Sequence, residues 1–359
     1  MWQLNNLIVK YTILIGISVL IAGCDMPYYW QAAHGQWDLM QRKQPIEELL
    51  QSDTTPSTTK ASLNYVLQVR DYALGQLHLE DNQSYLEYVD LKREYVTWNV
   101  FATPELSMQN HTWCYPIAGC VSYRGYFAKQ DAEDYAKLMQ SKGYDTYVGG
   151  AGAYSTLGWF ADPVLSTFLE RGKLSLAALL FHELAHQVLY VQDDSVFNES
   201  FANSVETLLL QNWAAQQGMQ AEWDAYQKAQ ARHQAFIQLV LDNKNQRAKL
   251  FDSALSDTEK RIQKQDLINA LEAGYLQFKQ TWGFSGYDQW FAAGLNNAQL
   301  STVATYNELK PGFMALYRQS EQNLPKFLTA CRDLANEDKD QRHQHLIQLA
   351  NDNFVYTQN

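Results

Sequence analysis

Two histidines and the glutamate between them form the clearest chemical pattern in this chain of 359 residues. His182, Glu183 and His186 make an HExxH motif at the end of the apolar run 174–181. Residues four apart share one face of a helix, so both imidazoles can face the same metal ion. Glu183 is then placed to act as general base toward a water that the metal activates. The spacing predicts a zinc-dependent hydrolytic site on a helix.

A zinc ion held by two histidines needs a third protein ligand and an open position. Glu199 and Glu206, one heptad apart, are the candidates. If the chain turns near Asp193, the next helix runs back beside the motif and Glu199 returns to the height of His186. Glu206 would lie roughly 10 Å further along the helix, so we predict Glu199 as the ligand. Asn203 shares the face of Glu199 and could hold a metal ligand in place by a hydrogen bond without binding the metal itself. Glu206 could do the same or simply face solvent.

A motif as short as HExxH also arises by chance, or as part of a polar helix surface. The residues around it are apolar on nearly all sides of the helix, and this indicates a buried helix. Histidine and glutamate side chains in a buried helix need partners that compensate for the loss of water. Burial of this helix therefore favours a metal site over a chance match or an exposed polar helix surface.

The first residues predict export and lipid attachment. Lys10 precedes an apolar run at 11–22, which is too short for a comfortable transmembrane helix and leads into Gly23-Cys24. Small residues before a cysteine resemble the bacterial lipobox, in which the cysteine carries the lipid and becomes the new N-terminus. Asp25 then favours the inner membrane, with the body of the protein facing the periplasm. An ordinary signal peptide or an uncleaved anchor is the alternative.

Charge and cysteine content narrow the partners and the compartment. The net charge of −11, from 28 basic and 39 acidic side chains, offers no basic surface to nucleic acid. Cys114 and Cys120 flank a segment of turn-forming residues, so they form either a small disulfide loop, which the periplasm permits, or two free thiols. Cys331 is expected to be an unpaired core residue.

Hydrophobic periodicity predicts an α+β fold that is mostly helical, with a small antiparallel sheet before the motif helix. We divide the chain into a signal peptide at 1–23, an N-terminal part at 24–165 and a helical catalytic part at 166–359. Helices are expected at 28–43, 45–50, 60–77, 129–143, 173–191, 195–217, 220–243 and 257–281. Strands are expected at 95–102, 120–127 and 144–149. Further helical pieces between 287 and 332 are expected to break at Pro311 and Gly312, and a polar tail is expected from Asn336.

A glycine-rich segment follows the third strand and includes Gly149, Gly150, Ala151 and Gly152. Small residues leave the backbone accessible, and an exposed strand edge can bind an extended peptide by strand addition. A flexible turn would have the same composition. Because the motif helix comes next, we assign these four residues to substrate binding.

Two further segments carry a family resemblance. Asn198-Glu199-Ser200-Phe201-Ala202 resembles the Asn-Glu-x-Phe-Ala segment of gluzincin aminopeptidases. Together with the lipobox, the aromatic segment 28–31 and the cysteine-bearing segment 113–127, it resembles a proteobacterial family of zinc aminopeptidase lipoproteins. The resemblance spans most of the chain beyond the signal peptide. It implies a zincin-like fold with Zn²⁺ as the cofactor.

The same resemblance implies roles for individual residues. His182, His186 and Glu199 would hold the zinc ion, and Glu183 would be the general base. Gluzincins commonly stabilise the oxyanion with a tyrosine or histidine from further along the chain, and Tyr306 is the candidate here. Packing as an ordinary core tyrosine is the alternative for Tyr306. The chain lacks the Gly-Ala-Met-Glu-Asn segment with which gluzincin aminopeptidases bind a free amine.

The sequence thus predicts a zinc-dependent peptidase, an aminopeptidase by resemblance, that cleaves peptides in the periplasm while Cys24 anchors it to the membrane. One alternative is a catalytically silent envelope lipoprotein that keeps the fold as a binding or scaffold protein. Another is an enzyme acting on a non-peptide amide. The presence of Glu183 favours catalysis, because a structural zinc ion needs no general base.

Overall fold

The computed structural model describes residues 26–81, 83–115, 119–152, 161–169, 172–305 and 309–356. The predicted signal peptide, the lipidation site Cys24 and Tyr306 lie outside these ranges. Within them the protein is mostly helical with small sheets, which confirms the predicted α+β class. No helix in the part of the chain described is both long and apolar enough to cross a membrane.

Helices account for most of the described chain. They are α1 (Met26–Gln41), α2 (Ile46–Gln51), α3 (Ser57–Leu77), α4 (Lys129–Ser141), α5 (Ser166–Leu169), α6 (Lys173–Val188), α7 (Ser195–Gln216), α8 (Gln220–Phe251), α9 (Asp257–Trp282), α10 (Asp288–Phe291), α11 (Asn297–Thr305), α12 (Lys310–Gln319), α13 (Leu324–Ala335) and α14 (Lys339–Tyr356). The strands are β1 (Gln44–Pro45), β2 (Glu87–Val89), β3 (Thr97–Pro104), β4 (Trp113–Tyr115), β5 (Gly119–Val121), β6 (Arg124–Tyr126), β7 (Tyr144–Ala151) and β8 (Val164–Leu165).

The largest strands form an antiparallel sheet in the order β6-β3-β7. Side chains alternate between its two faces. One face packs on α4, where Val100 and Tyr126 meet Ala132 and Ala136 in a small core. The other face is turned toward the motif helix. Short strands form two more sheets, of order β1-β2-β8 and β4-β5.

The segment 120–127, predicted as one strand, is divided between two sheets. Its first residues pair with β4 in a hairpin that the Cys114–Cys120 disulfide closes, and its last residues pair with β3. The chain leaves the β4-β5 sheet after Val121 and joins β3 at Arg124. Asp193 holds the hairpin in place by accepting a hydrogen bond from the Cys120 N–H. The single-strand prediction was wrong because alternation of residue types does not show where a crosslinked hairpin ends.

Helices α6 and α7 lie side by side within the largest core, and α3 packs on α6. Phe181, Phe197 and Phe201 are fully buried there. The latter two also contact the ring of Phe313 on α12, at 5.1 and 5.9 Å between ring centroids. The motif helix is therefore enclosed on several sides, as its apolar composition indicates. Cys331 is also in this core and carries a free thiol.

The connection between α6 and α7 is short and closely hydrogen-bonded. Helix α6 ends at Val188, three residues before the predicted end at 191. Asp193 has a positive φ of 64°, which reverses the chain direction. Asp194 caps α7 by accepting a hydrogen bond from the Phe197 N–H at 3.2 Å. The turn predicted near Asp193 is thus present, and Asp194 caps the helix that follows it.

Helix α8 continues to Phe251, beyond the predicted end at 243, and pairs with α9. Apolar periodicity did not predict this extension, because two of its buried positions hold the polar residues Asn243 and Arg247. The Arg247 guanidinium donates to the Leu295 carbonyl at 2.8 Å and to Asn243 Oδ1 at 2.9 Å. A buried arginine of this kind breaks the apolar pattern without breaking the helix.

The C-terminal region differs from its prediction in two places. Pro311 and Gly312, expected to break a helix, instead begin α12, where proline costs no hydrogen bond. The expected polar tail is the helix α14, which packs on α12. A Cβ on Gly312 would lie 2.3 Å from the Leu346 carbonyl oxygen, so the glycine permits this close approach.

Candidate active site

Three side chains from α6 and α7 converge on one point. His182 Nε2 lies 3.3 Å from Glu199 Oε2 and 3.3 Å from His186 Nε2, and His186 Nε2 lies 3.9 Å from Glu199 Oε1. One ligand atom from each residue falls within 4.8 Å of the others. Two imidazole nitrogens and a carboxylate oxygen are the ligand set that zinc takes in hydrolytic sites. This group could therefore hold a metal ion.

Glu206 occupies the position behind the first histidine. Its Oε2 lies 3.4 Å from His182 Nδ1, while its Oε1 accepts a hydrogen bond from the Tyr226 hydroxyl at 3.1 Å. Gln230 in turn donates to that hydroxyl at 2.6 Å. A carboxylate beside Nδ1 holds the imidazole proton there, so Nε2 is the nitrogen that can bind a metal once it gives up its own proton. Glu206 thus has the supporting position that the sequence allowed for it.

The charges of these side chains are strongly coupled. Burial favours the neutral form of His182, but the carboxylates of Glu199 and Glu206 outweigh it and raise the pKa of His182 well above its usual value. Burial also opposes the charge of Glu199, yet hydrogen bonding to His182 and the charges of both histidines lower the pKa of this carboxyl. Glu199 is therefore ionised, which is the form in which a carboxylate can bind a metal.

His186 behaves differently from His182. Burial lowers the pKa of His186 to about 4, with a further contribution from the charge of His182. The side chain is therefore neutral at neutral pH, which is the state that binds a metal. Its Nδ1 is buried and has no hydrogen-bond partner among the described residues.

Glu183 lines the cavity beside the three converging residues. Burial raises the pKa of Glu183, the charge of His182 opposes this, and the carboxylates of Glu199 and Asp162 add to it, so that the pKa is about 7. A carboxyl group with a pKa near neutrality can both accept and return a proton. This is the property that a general acid–base residue requires.

The converging residues open into a cavity of about 780 Å³. The free face of the central sheet forms one wall, through Thr97, Asn99 and Phe101 of β3 and Gly125 of β6. Gly125 and Gly149 stand opposite Asn99 on its two neighbouring strands. With no side chains there, the Asn99 amide stands clear of its neighbours, and its oxygen accepts from Thr97 Oγ1 at 3.4 Å. A cavity of this size holds several peptide residues.

The glycine-rich segment contributes to this cavity in part. Ala151 and Gly152 line it, whereas Gly149 and Gly150 lie further along β7 beside the rings of Tyr147 and Tyr95. Among the described strands β7 is the edge of its sheet. The edge is covered near its start, where Asn296 donates to the Thr146 carbonyl at 2.8 Å. A peptide adding to β7 would therefore pair with its second half.

Tyrosines that the sequence did not single out surround the converging residues. Tyr123 and Tyr190 both line the cavity. Burial and the carboxylates of Glu199 and Glu183 raise the pKa of Tyr123, and burial and the Glu199 carboxylate raise that of Tyr190. Their hydroxyls are therefore protonated donors at neutral pH. With 22 tyrosines in the chain, no sequence signal distinguished these two.

Asn203 and Tyr306 are the remaining predicted site residues. The Asn203 carbonyl accepts a hydrogen bond from Thr207 Oγ1 at 2.8 Å, a contact within α7. Tyr306 lies outside the described residues. Their predicted roles stay predictions.

Comparison with known proteins assigns the chain to a family. The family described as "Putative aminopeptidase" matches residues 27–346. This range contains all three converging residues, Glu183 and the sheet that faces them. No curated protein and no solved structure matches the chain.

Proposed function

Since the chain belongs to this aminopeptidase family, we propose that it is a zinc-dependent peptidase whose active site is the cavity above α6. The observation that carries the proposal is the convergence of His182, His186 and Glu199 beside the buried carboxyl of Glu183. Structural zinc sites close all four positions with protein ligands, whereas three ligands leave one open for catalysis. The open side here faces the cavity.

Zinc held at this group would supply Lewis-acid chemistry to the carbonyl of the scissile bond. Glu183 is the residue that moves protons. It accepts a proton from the attacking water and returns that proton to the nitrogen of the leaving amine. Because it alternates between the two states, a carboxyl buried among other carboxylates suits the task better than an exposed one.

Tyr123 is our candidate for the donor that stabilises negative charge on the substrate oxygen. It reaches the cavity from the sheet side, opposite the helix that bears the ligands. A neutral hydroxyl aimed at the substrate oxygen can stabilise the negative charge that develops there. Tyr190, from the end of α6, is the second candidate, and the predicted Tyr306 remains a third.

The compartment also belongs to this proposal. Cys24 would carry the lipid anchor and place the body on the periplasmic side of the inner membrane. The disulfide between Cys114 and Cys120 supports an oxidising compartment, since disulfides are rare in the cytosol. We expect the wild type to incorporate radiolabelled palmitate and the Cys24→Ser variant to incorporate none. Equal labelling of both proteins would reject the anchor.

The activity is tested on the purified protein by metal analysis and by hydrolysis of a peptide library. We expect one zinc ion per chain and cleavage that a chelator abolishes and zinc restores. Glu183→Gln should keep the metal and lose about 10²- to 10⁴-fold in kcat. Free and N-acetylated versions of each peptide distinguish aminopeptidase from endopeptidase action. Zinc binding without cleavage of any peptide would reject the peptidase and favour the scaffold protein.

A further inference from the structure

A second cavity adjoins the first. It has a volume of about 480 Å³ and is lined by residues of α7, α8 and the start of α12. Tyr226 and Gln230 line both cavities. The Tyr226 hydroxyl is also the group that donates to Glu206, which supports His182. The two cavities are thus neighbours that share these two side chains, one of which contacts the residue beside His182.

The positive charge in this second cavity comes from Lys310. The residue is half-buried, and among the described residues its side chain has neither a hydrogen bond nor an ion pair. Partial burial lowers the pKa of Lys310, and the Glu206 carboxylate only partly compensates. An ammonium group that loses part of its hydration without gaining a direct partner is costly to the fold.

Two lysines with little side-chain exposure have such partners. Lys264 pairs with Asp145 at 2.7 Å, and Lys43 pairs with Glu87 at 2.9 Å. Lys310 is also the first residue of α12, where the positive end of the helix dipole disfavours a cation. Neither pairing nor helix stability therefore accounts for a lysine at this position. A ligand that brings a negative charge would account for it.

The remaining walls of the cavity fit a carboxylate on an apolar stem. They carry the carboxamides of Gln211, Gln227 and Gln234, which can donate hydrogen bonds to carboxylate oxygens. Trp223 and Met314 supply apolar surface. No acidic side chain of the described residues lines this cavity.

We propose that this cavity is a substrate subsite in which Lys310 binds a carboxylate of the peptide. The carboxylate is either the C-terminal one or that of an aspartate or glutamate side chain. This inference rests on the proposed peptidase function, because it places the subsite beside the scissile bond. It adds a preference for anionic peptides that the metal site alone does not provide.

Binding to the inactive Glu183→Gln protein, loaded with zinc, tests the subsite without turnover. Isothermal titration calorimetry would compare two pairs of peptides, one differing in a C-terminal carboxylate or carboxamide, the other in an internal Glu or Gln. We expect one pair to show about tenfold to hundredfold tighter binding of the charged member, as expected for a charge-assisted contact. The pair that responds identifies the source of the carboxylate. Equal affinities within both pairs would overturn the proposal.

Substitution of Lys310 then assigns the effect to this side chain. In the Glu183→Gln background, Lys310→Met should abolish the discrimination, and Lys310→Glu should reverse it toward a peptide with lysine in place of glutamate. Lys228→Met is the matched control, since Lys228 is exposed on α8 and does not line the cavity. It should keep the wild-type discrimination. Zinc content and thermal melting of each variant verify the fold.

The outcomes separate the two proposals. If Lys310→Met weakens charged and neutral peptides equally, the subsite is wrong whether or not the protein is a peptidase. If the wild type cleaves nothing while the inactive protein still discriminates through Lys310, the peptidase function fails and the carboxylate site stands. If cleavage depends on zinc but does not depend on the charge of the peptide, the peptidase function holds and the carboxylate subsite is rejected.

Discussion

The side chain of Asn198 closes the connection between the two ligand helices by pairing with the backbone of Val191. Its Oδ1 accepts from the Val191 N–H at 2.8 Å, and its Nδ2 donates to the Val191 carbonyl at 2.7 Å. Asn198 is buried and directly precedes the proposed ligand Glu199. The two hydrogen bonds therefore link the chain after His186 to the start of the helix that carries the third ligand.

We expect Asn198→Ala to lower both stability and metal affinity. The substitution leaves the half-buried Val191 N–H without its acceptor and removes one of the two hydrogen bonds to the Val191 carbonyl, which costs about 1–3 kcal/mol in the free energy of unfolding. Displacement of Glu199 should weaken zinc binding by about tenfold to hundredfold. Urea unfolding and zinc titration against a competing chelator measure the two effects. Asn212→Ala, on the exposed side of α7, is the control and should change stability by no more than about 0.5 kcal/mol.

The positions of Glu199 and Glu206 predict unequal consequences for their removal. Glu199→Ala removes an oxygen from the metal group and should abolish stoichiometric zinc binding at micromolar concentrations. Glu206→Ala removes only the support of His182 Nδ1, so zinc affinity should fall by about tenfold to hundredfold. Equilibrium dialysis at several zinc concentrations distinguishes the two. The reverse order of effects would show that Glu206 is the ligand.

Tyr123→Phe should lower kcat while leaving zinc binding and folding intact. The substitution removes only the hydroxyl, and the residue keeps 37% of its exposure, so little packing is lost. Loss of one oxyanion donor reduces kcat by about 10²- to 10³-fold. Tyr147→Phe is the control, because the ring of Tyr147, like that of Tyr123, contacts Phe101, but Tyr147 does not line the cavity. If Tyr123→Phe is fully active, the same test on Tyr190 and Tyr306 identifies the donor.

The centre of the site could be predicted from sequence because local rules determine it. Helical spacing brings His182 beside His186, and a tight turn with an aspartate cap returns the chain so that Glu199 faces both. The same reasoning explains why Glu206 was harder to place. One heptad separates it from Glu199, so periodicity shows a shared face without showing which carboxylate reaches the metal group and which reaches the far side of His182.

The walls of the cavity could not be predicted, because contacts distant in sequence determine them. Tyr123 faces the site only because the disulfide-closed hairpin ends just before it and the chain then crosses to another sheet. The sequence predicted a polar tail in place of helix α14, because the residues of α14 that contact the start of α7 are themselves polar. Arg342 and His343 of this helix hold Asp194, about 150 residues earlier in the chain.

That last contact predicts a pH-dependent stability. Asp194 accepts from Arg342 Nε at 2.7 Å and lies 2.9 Å from His343 Nε2, and its side chain is fully buried. Burial opposes the charge of Asp194, but the hydrogen bonds from His343 and Arg342 prevail and hold the pKa of this carboxyl below its usual 3.8. Because the pKa of Asp194 is lower in the folded than in the unfolded state, the ionised carboxylate stabilises the fold at pH values above the unfolded-state pKa. This stabilisation is lost as the pH falls through the folded-state pKa.

Asp194→Asn isolates this charge, because asparagine is an equally good helix cap. At pH 7 we expect the variant to lose about 3 kcal/mol in the free energy of unfolding, since it leaves the buried Arg342 without its counter-charge. As the pH falls below about 4, the wild type should lose its advantage and the two unfolding curves should converge. Urea unfolding between pH 7 and pH 3 measures the difference, with the exposed Asp333→Asn as control. A difference that stays constant down to pH 3 would show that packing rather than charge holds α14 to the ligand helix.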